Sequence, residues 1–169
     1  MLFRSAIPRE AEVTVYVPKT ETDAVIAKMA GFTETFLNEI RTVEPDLKVL
    51  ARRVEGNGRV MDDAQFALLL DVLQALPHGV MKMSADIDGL VETSTNLATV
   101  TIDGDTLTIG TSQRSSVESE KYDAVAMVQA ILRLAGLRIV MGDGYPGWKP
   151  NMDSLALKHV RQKIGRAHV

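Results

Sequence analysis

The sequence predicts an α+β domain, a two-layer ferredoxin-like arrangement (β-α-β-β-α-β) with an inserted helix and extra hairpin strands. Three observations carry this expectation. Residues 12–17 alternate apolar and polar, as a half-buried strand does. Apolar residues recur at steps of three and four from 21 to 43, as on an amphipathic helix. Asp103-Gly104 sits between two β-rich runs, a strong two-residue hairpin signal.

Along the chain, Val13, Val15 and Val17 share one face of the first expected strand, and Pro18 ends it. Thr20 with Asp23 reads as a capping box for the long helix. That helix carries Val25, Met29, Phe32, Phe36, Ile40 and Val43 on its apolar stripe, and Glu44-Pro45-Asp46 stops it. Residues 47–54 read as a second strand, and 55–58 as a loop. Asp62 or Asp63 opens the inserted helix, whose expected apolar face is Phe66, Leu69, Leu70, Leu73 and Leu76. Pro77 and Gly79 end it. Strands follow at 79–83, 90–102 and 106–113. Ser116 or Ser119 is expected to cap a helix bearing Tyr122, Val125, Val128, Ile131, Leu132 and Ala135. Gly136 stands where a left-handed C-cap belongs. A strand at 137–141, a corner at 142–144, an extended stretch at 145–151 and a helix from Asp153 complete the reading.

Composition narrows the partners. The chain has 169 residues, 46% hydrophobic and 24% charged, with a formal net charge of -3, which suits a single domain with a core of its own. No basic run suggests a nucleic-acid footprint. No apolar run approaches a membrane span, and no secretory segment is expected. Cysteine is absent, which excludes disulfides and thiolate metal sites and fits a reducing compartment. The three histidines (His78, His159 and His168) form no close pair, so no self-contained zinc site is expected.

Candidate chemistry is sparse. Gly142, Gly144 and Gly147 follow a strand but do not precede a helix, so they make no phosphate loop. Asp62/Asp63 and Asp86/Asp88 fall at expected caps or turns. His78 falls in a turn and His159 on the last helix. The run from Glu92 to Asn96 is polar inside a strand, with Glu92, Ser94 and Asn96 on one face. That face is open to two readings, a solvated surface or one that meets a ligand. Arg114 ends the return strand beside several hydroxyls, and its fork matches a carboxylate. The residues leave that open too, because Glu118 or Glu120 could pair with it.

Four motifs go further: AIPREA at 6–11, GLVETSTN at 89–96, QRSSVES at 113–119 and YPGWKPN at 145–151. In this order they resemble the aminoacyl-histidine (Xaa-His or β-Ala-His) dipeptidases, a cytosolic branch of the di-zinc exopeptidases. The resemblance runs from Ala6 to about Lys163. It implies two domains, a catalytic one holding two zinc ions and an inserted lid, ferredoxin-like in plan, that dimerises.

This chain resembles the lid, 6–144, plus the start of the return segment, 145–163. The resemblance then implies a zinc-dependent hydrolase acting on dipeptides, a homodimer formed through the lid and a cytoplasmic setting. It assigns the zinc ligands and the general base to segments before Ala6 and after Lys163. No catalytic residue and no metal ligand is therefore assigned within the chain, and the chain alone is expected to be inactive. Arg114 matches the lid arginine that contacts the substrate's C-terminal carboxylate. Asn96 and Glu92 match motif positions without a defined role, and Asn96 is carried as a second substrate-binding candidate. The competing reading is a free-standing ferredoxin-like module that binds a small anion or dimerises without catalysis.

Both ends, 1–5 and 164–169, are expected to be foreign to the protein. The codons ATC GGA AGA GCA CAC GTC spell IGRAHV. The reverse complement of AGATCGGAAGAGCAC reads GTG CTC TTC CGA TCT, which spells MLFRS when GTG starts translation. One sequencing-library adapter in two orientations thus encodes both. In the family the residue before AIPREA is usually a substrate-binding Asn. Under the adapter reading, Arg4 and Ser5 carry no information on specificity. The nucleotide record is expected to show those codons, and different codons at either end would refute the adapter origin.

Overall fold

The computed structural model describes residues 7–56 and 58–164, so the expectations for 1–5, with Arg4 and Ser5, and for 164–169 beyond Ile164, with His168, lie outside the described residues. The chain divides into two compact units, one of residues 11–62 and one built mainly from residue 63 onward.

The smaller unit contains one long helix, α1 (Thr22–Ile40), preceded by a 3-10 turn at Lys19–Glu21. Its apolar spacing forms the helix as expected, and Phe32 and Phe36 stack at 5.7 Å one turn apart. The capping box does not form. Glu21 is the N-cap without a side-chain bond, while the Thr22 hydroxyl donates to the Pro18 carbonyl at 3.4 Å. Neither expected strand, 12–17 or 47–54, forms. Alternation makes a strand only where a neighbouring backbone offers a ladder. Here the two stretches are tied by side chains instead, and Val13 is 80% exposed. The Tyr16 hydroxyl accepts from the Gly58 amide at 2.9 Å. The Thr33 hydroxyl accepts from the Val49 amide at 3.0 Å and donates to its carbonyl at 3.2 Å. Arg53 pairs with Asp23 at 2.9 Å, and Arg52 with Glu12 at 3.7 Å.

The larger unit is α+β. It holds α2 (Asp63–Ala75), β1 (Gly79–Met83), β2 (Val91–Asp103), β3 (Thr106–Ser115), α3 (Glu118–Leu134) and α4 (Leu155–Ile164). The strands form an antiparallel sheet in the order β1-β2-β3. Its hairpin turns one residue later than expected. Asp103 pairs with Thr106 and the loop is Gly104-Asp105, with Gly104 at φ +56, a conformation costly for other residues. The expected strand at 137–141 is absent, because the end of α3 uses the backbone that would start it. Gly136 adopts φ +69 and donates to the Arg133 carbonyl at 3.0 Å, while Leu137 donates to Leu132 at 2.9 Å. These are the two bonds of a Schellman motif. The described residues thus carry three of the strands that a ferredoxin-like plan requires.

The core is small: Val72 of α2 and Leu76 just after it against Val128 of α3, with Leu97, Ile109, Ile131 and Leu137 packed around them. The inward stripe of α2 therefore runs through Leu69, Val72 and Leu73 and continues to Leu76, with Leu69 and Leu73 half-buried. Phe66 and Leu70, expected inside, are 46% and 51% exposed. Tyr122 of α3 also lies outside, 62% exposed. Two local signals are met by different residues. Val117, not Ser116 or Ser119, is the N-cap of α3, and its amide donates to the Ser115 hydroxyl at 3.0 Å. The last helix starts at Leu155, where the Ser154 hydroxyl accepts from the Leu157 amide at 3.2 Å. Leu76→Ala is expected to cost about 2–4 kcal/mol in urea unfolding, with an unchanged m-value. Leu134→Ala, at 90% exposure, is expected to stay within about 0.5 kcal/mol of the parent.

Candidate functional site

The candidate site begins with the β2–β3 register. Thr93 pairs with Ser115, Ser94 with Arg114, Thr95 with Gln113, and Asn96 with Ser112. Side chains alternate along each strand, so these pairs divide between two faces. Thr93 and Thr95 point to the face that carries Leu97 and Ile109, and both are buried, at 2% and 3% exposure. Buried hydroxyls need partners. Thr93 and Ser115 share a hydrogen bond at 2.9 Å, and the Gln113 amide donates to Thr95 at 3.1 Å.

The opposite face carries Ser94, Asn96, Ser112 and Arg114. The structure therefore places both sequence-derived candidates, Arg114 and Asn96, on one polar sheet face on adjacent strands. Arg114 is exposed and Asn96 half-buried.

The two acids that could have neutralised Arg114 are engaged elsewhere. Glu118 pairs with Lys121 at 2.8 Å and accepts from the Gly147 amide at 2.6 Å. These bonds, that to Lys121 foremost, hold its carboxyl below the usual carboxylate range. Glu120 pairs with Lys82 at 2.5 Å. Lys82 also lies 3.3 Å from Glu92, whose side chain is only 10% exposed. Hydrogen bonding to Glu120 and then Glu92 raises the Lys82 ammonium above its usual value. Glu92 is thus the third member of an ion cluster. Among the described residues, the Arg114 side chain forms no ion pair or hydrogen bond.

Three of the four motifs converge here. YPGWKPN lies against the start of α3, with Gly147 on the Ser115 carbonyl. Lys149 pairs with Asp86 of the turn before β2 at 2.5 Å, which raises the Lys149 ammonium. The tail of the motif borders a shallow apolar cleft with Trp148, Pro150, Met152 and Leu157. His78 has a part that the sequence did not reveal: its Nδ1 accepts from the Leu97 amide at 3.0 Å, where β2 and β3 slip register. His159 bonds the Leu155 carbonyl of its own helix at 2.9 Å. Among the described residues, no group of three or more His, Asp or Glu side chains could hold a metal ion. No helix among them is long and apolar enough to cross a membrane.

Sequence and fold are similar to a segment of known dipeptidases. Over 163 residues the chain is 31% identical to the cytosol non-specific dipeptidase of Escherichia coli (strain K12), spanning 96% of this chain and 34% of that protein. It superposes with a TM-score of 0.80 on the crystal structure of aminoacylhistidine dipeptidase from Vibrio alginolyticus, at 29% identity, over 90% of this chain and 31% of that one. The resemblance carried by the motifs is therefore borne out, and the chain spans about a third of the length of these relatives. No protein-family model matches it.

Proposed function

We propose that the chain is the lid segment of a cytoplasmic, zinc-dependent dipeptidase acting on Xaa-His-type dipeptides, in which Arg114 receives the substrate's C-terminal carboxylate. The observation that carries this reading is the exposed Arg114 on a hydroxyl-rich sheet face, with Glu118 and Glu120 both held by lysines. A guanidinium offers two parallel donors to a carboxylate, and Ser94 and Asn96 on the neighbouring strand add polar partners. Arg114 would orient the substrate and take no part in bond cleavage.

The residues described do not fit a zinc site, so no step is derived through the metal. In this reading the zinc ligands and general base lie in chain outside 6–163. Lid boundaries of 6–144, with a return segment from 145, belong to the same proposal. So does the ferredoxin-like plan of the lid. A homodimer through the lid is supported by the outer edge of β3, which pairs with no strand among the described residues, since an open edge of that length invites pairing. A free-standing anion-binding module is less favoured, because nearly the whole chain aligns within a dipeptidase.

Titration of the chain with β-Ala-His is expected to shift the Arg114 Nε–H NMR signal with weak affinity, on the order of millimolar. The C-terminal amide of the same dipeptide should leave that signal unmoved, and an equal response to both would sink the carboxylate assignment. In the complete enzyme, Arg114→Ala is expected to lower kcat/KM by roughly 10–100-fold. The chain of residues 1–169 with added zinc is expected to show no hydrolysis of β-Ala-His above background, and turnover by it would overturn the lid assignment.

A further inference from the structure

The stretch from Tyr145 to Lys149 is fastened at every second residue. Lys121 Nζ donates to the Tyr145 carbonyl at 2.8 Å. The Gly147 amide donates to Glu118 Oε2 at 2.6 Å. Lys149 Nζ reaches Asp86 at 2.5 Å. Glu118 and Lys121 also pair with each other, so one ion pair grips two backbone groups of a single segment. An isolated surface ion pair stabilises little, but hydrogen bonds from charged groups to backbone are stronger and directional. The seat has no spare room: a Cβ on Gly147 would lie 2.9 Å from the Ser115 carbonyl oxygen and 3.3 Å from the Ser116 carbonyl carbon. Ser115 follows Arg114 directly.

We propose that Glu118 and Lys121 form a clasp that holds residues 145–149 against the end of β3 and thereby fixes the position of Arg114. Both are positioning residues, because they act on the guanidinium through the strand end and through Gly147. The clasp itself is a property of this chain. Its consequence for substrate rests on the function proposed above, in which the clasped segment leads out of the lid.

Amide hydrogen exchange on the 169-residue chain reads the clasp directly. Glu118→Ala is expected to speed exchange at Gly147 by about tenfold, with the β2–β3 amides unchanged. Glu118→Gln keeps an acceptor oxygen and should restore most of the protection. Gly147→Ala should reproduce the Glu118→Ala result by steric displacement. Unchanged Gly147 exchange in Glu118→Ala, or equal loosening throughout β2 and β3, would overturn the clasp. The positioning role has its own readout. Glu118→Ala should weaken the Arg114 response to β-Ala-His by about threefold or more, with rescue by Glu118→Gln. A response that stays intact while Gly147 opens would refute that role. A parent chain that shows no carboxylate-dependent response would overturn the carboxylate reading and, with it, the positioning role. The exchange data would still decide the clasp.

Discussion

The β2–β3 ladder is the constraint on which the rest of the larger unit depends. Its register is held by the hairpin at Gly104 and by buried polar pairs, Thr93 with Ser115 and Gln113 with Thr95. Side chains alternate strictly, so a slip of one residue would move every side chain to the other face. Thr93 and Thr95 would then lose their partners, and a buried hydroxyl without a partner is costly. The same register sends Arg114 and Ser94 outward side by side. The placement of the candidate arginine is thus decided by hydroxyls on the opposite side of the sheet.

Around this ladder the apolar contribution is modest. Val72, Leu76 and Val128 join α2 to α3, and Leu97 and Ile109 bring the sheet into the same cluster. Trp148 and Tyr145 stay 76% and 68% exposed. Charge does much of the local organising where the core is thin. Lys82 joins β1 to α3 through Glu120 and to β2 through Glu92. Lys149 joins the 145–151 stretch to the turn before β2. These pairs use up the acids near Arg114, which is how an exposed cation survives beside an acidic helix start.

Legibility varied with the kind of signal. Helices α1 and α2, strands β1 to β3 and the Gly136 cap were readable, since each rests on local periodicity or on one backbone conformation. The hairpin was found and misplaced by one residue, because Asp103 and Asp105 flank the glycine alike. The strands expected at 12–17, 47–54 and 137–141 do not form, because a local preference for extended backbone still needs a pairing partner. The Thr20–Asp23 capping box and the serine cap of α3 failed through local competition. A 3-10 turn occupies the first site, and Ser115 serves the second from one residue before the expected pair.

By itself the sequence determined an α+β chain without cysteine, an arginine at a strand end and four motifs in family order. Local spacing and chemistry suffice for that, because they are written in neighbouring residues. Only the tertiary structure decided that Glu118 and Glu120 bind lysines rather than Arg114. It also brought Gly147 onto Ser115 and made His78 a backbone acceptor. Those outcomes depend on which residues, tens of positions apart, are close enough to compete for one partner, and no local pattern encodes that distance.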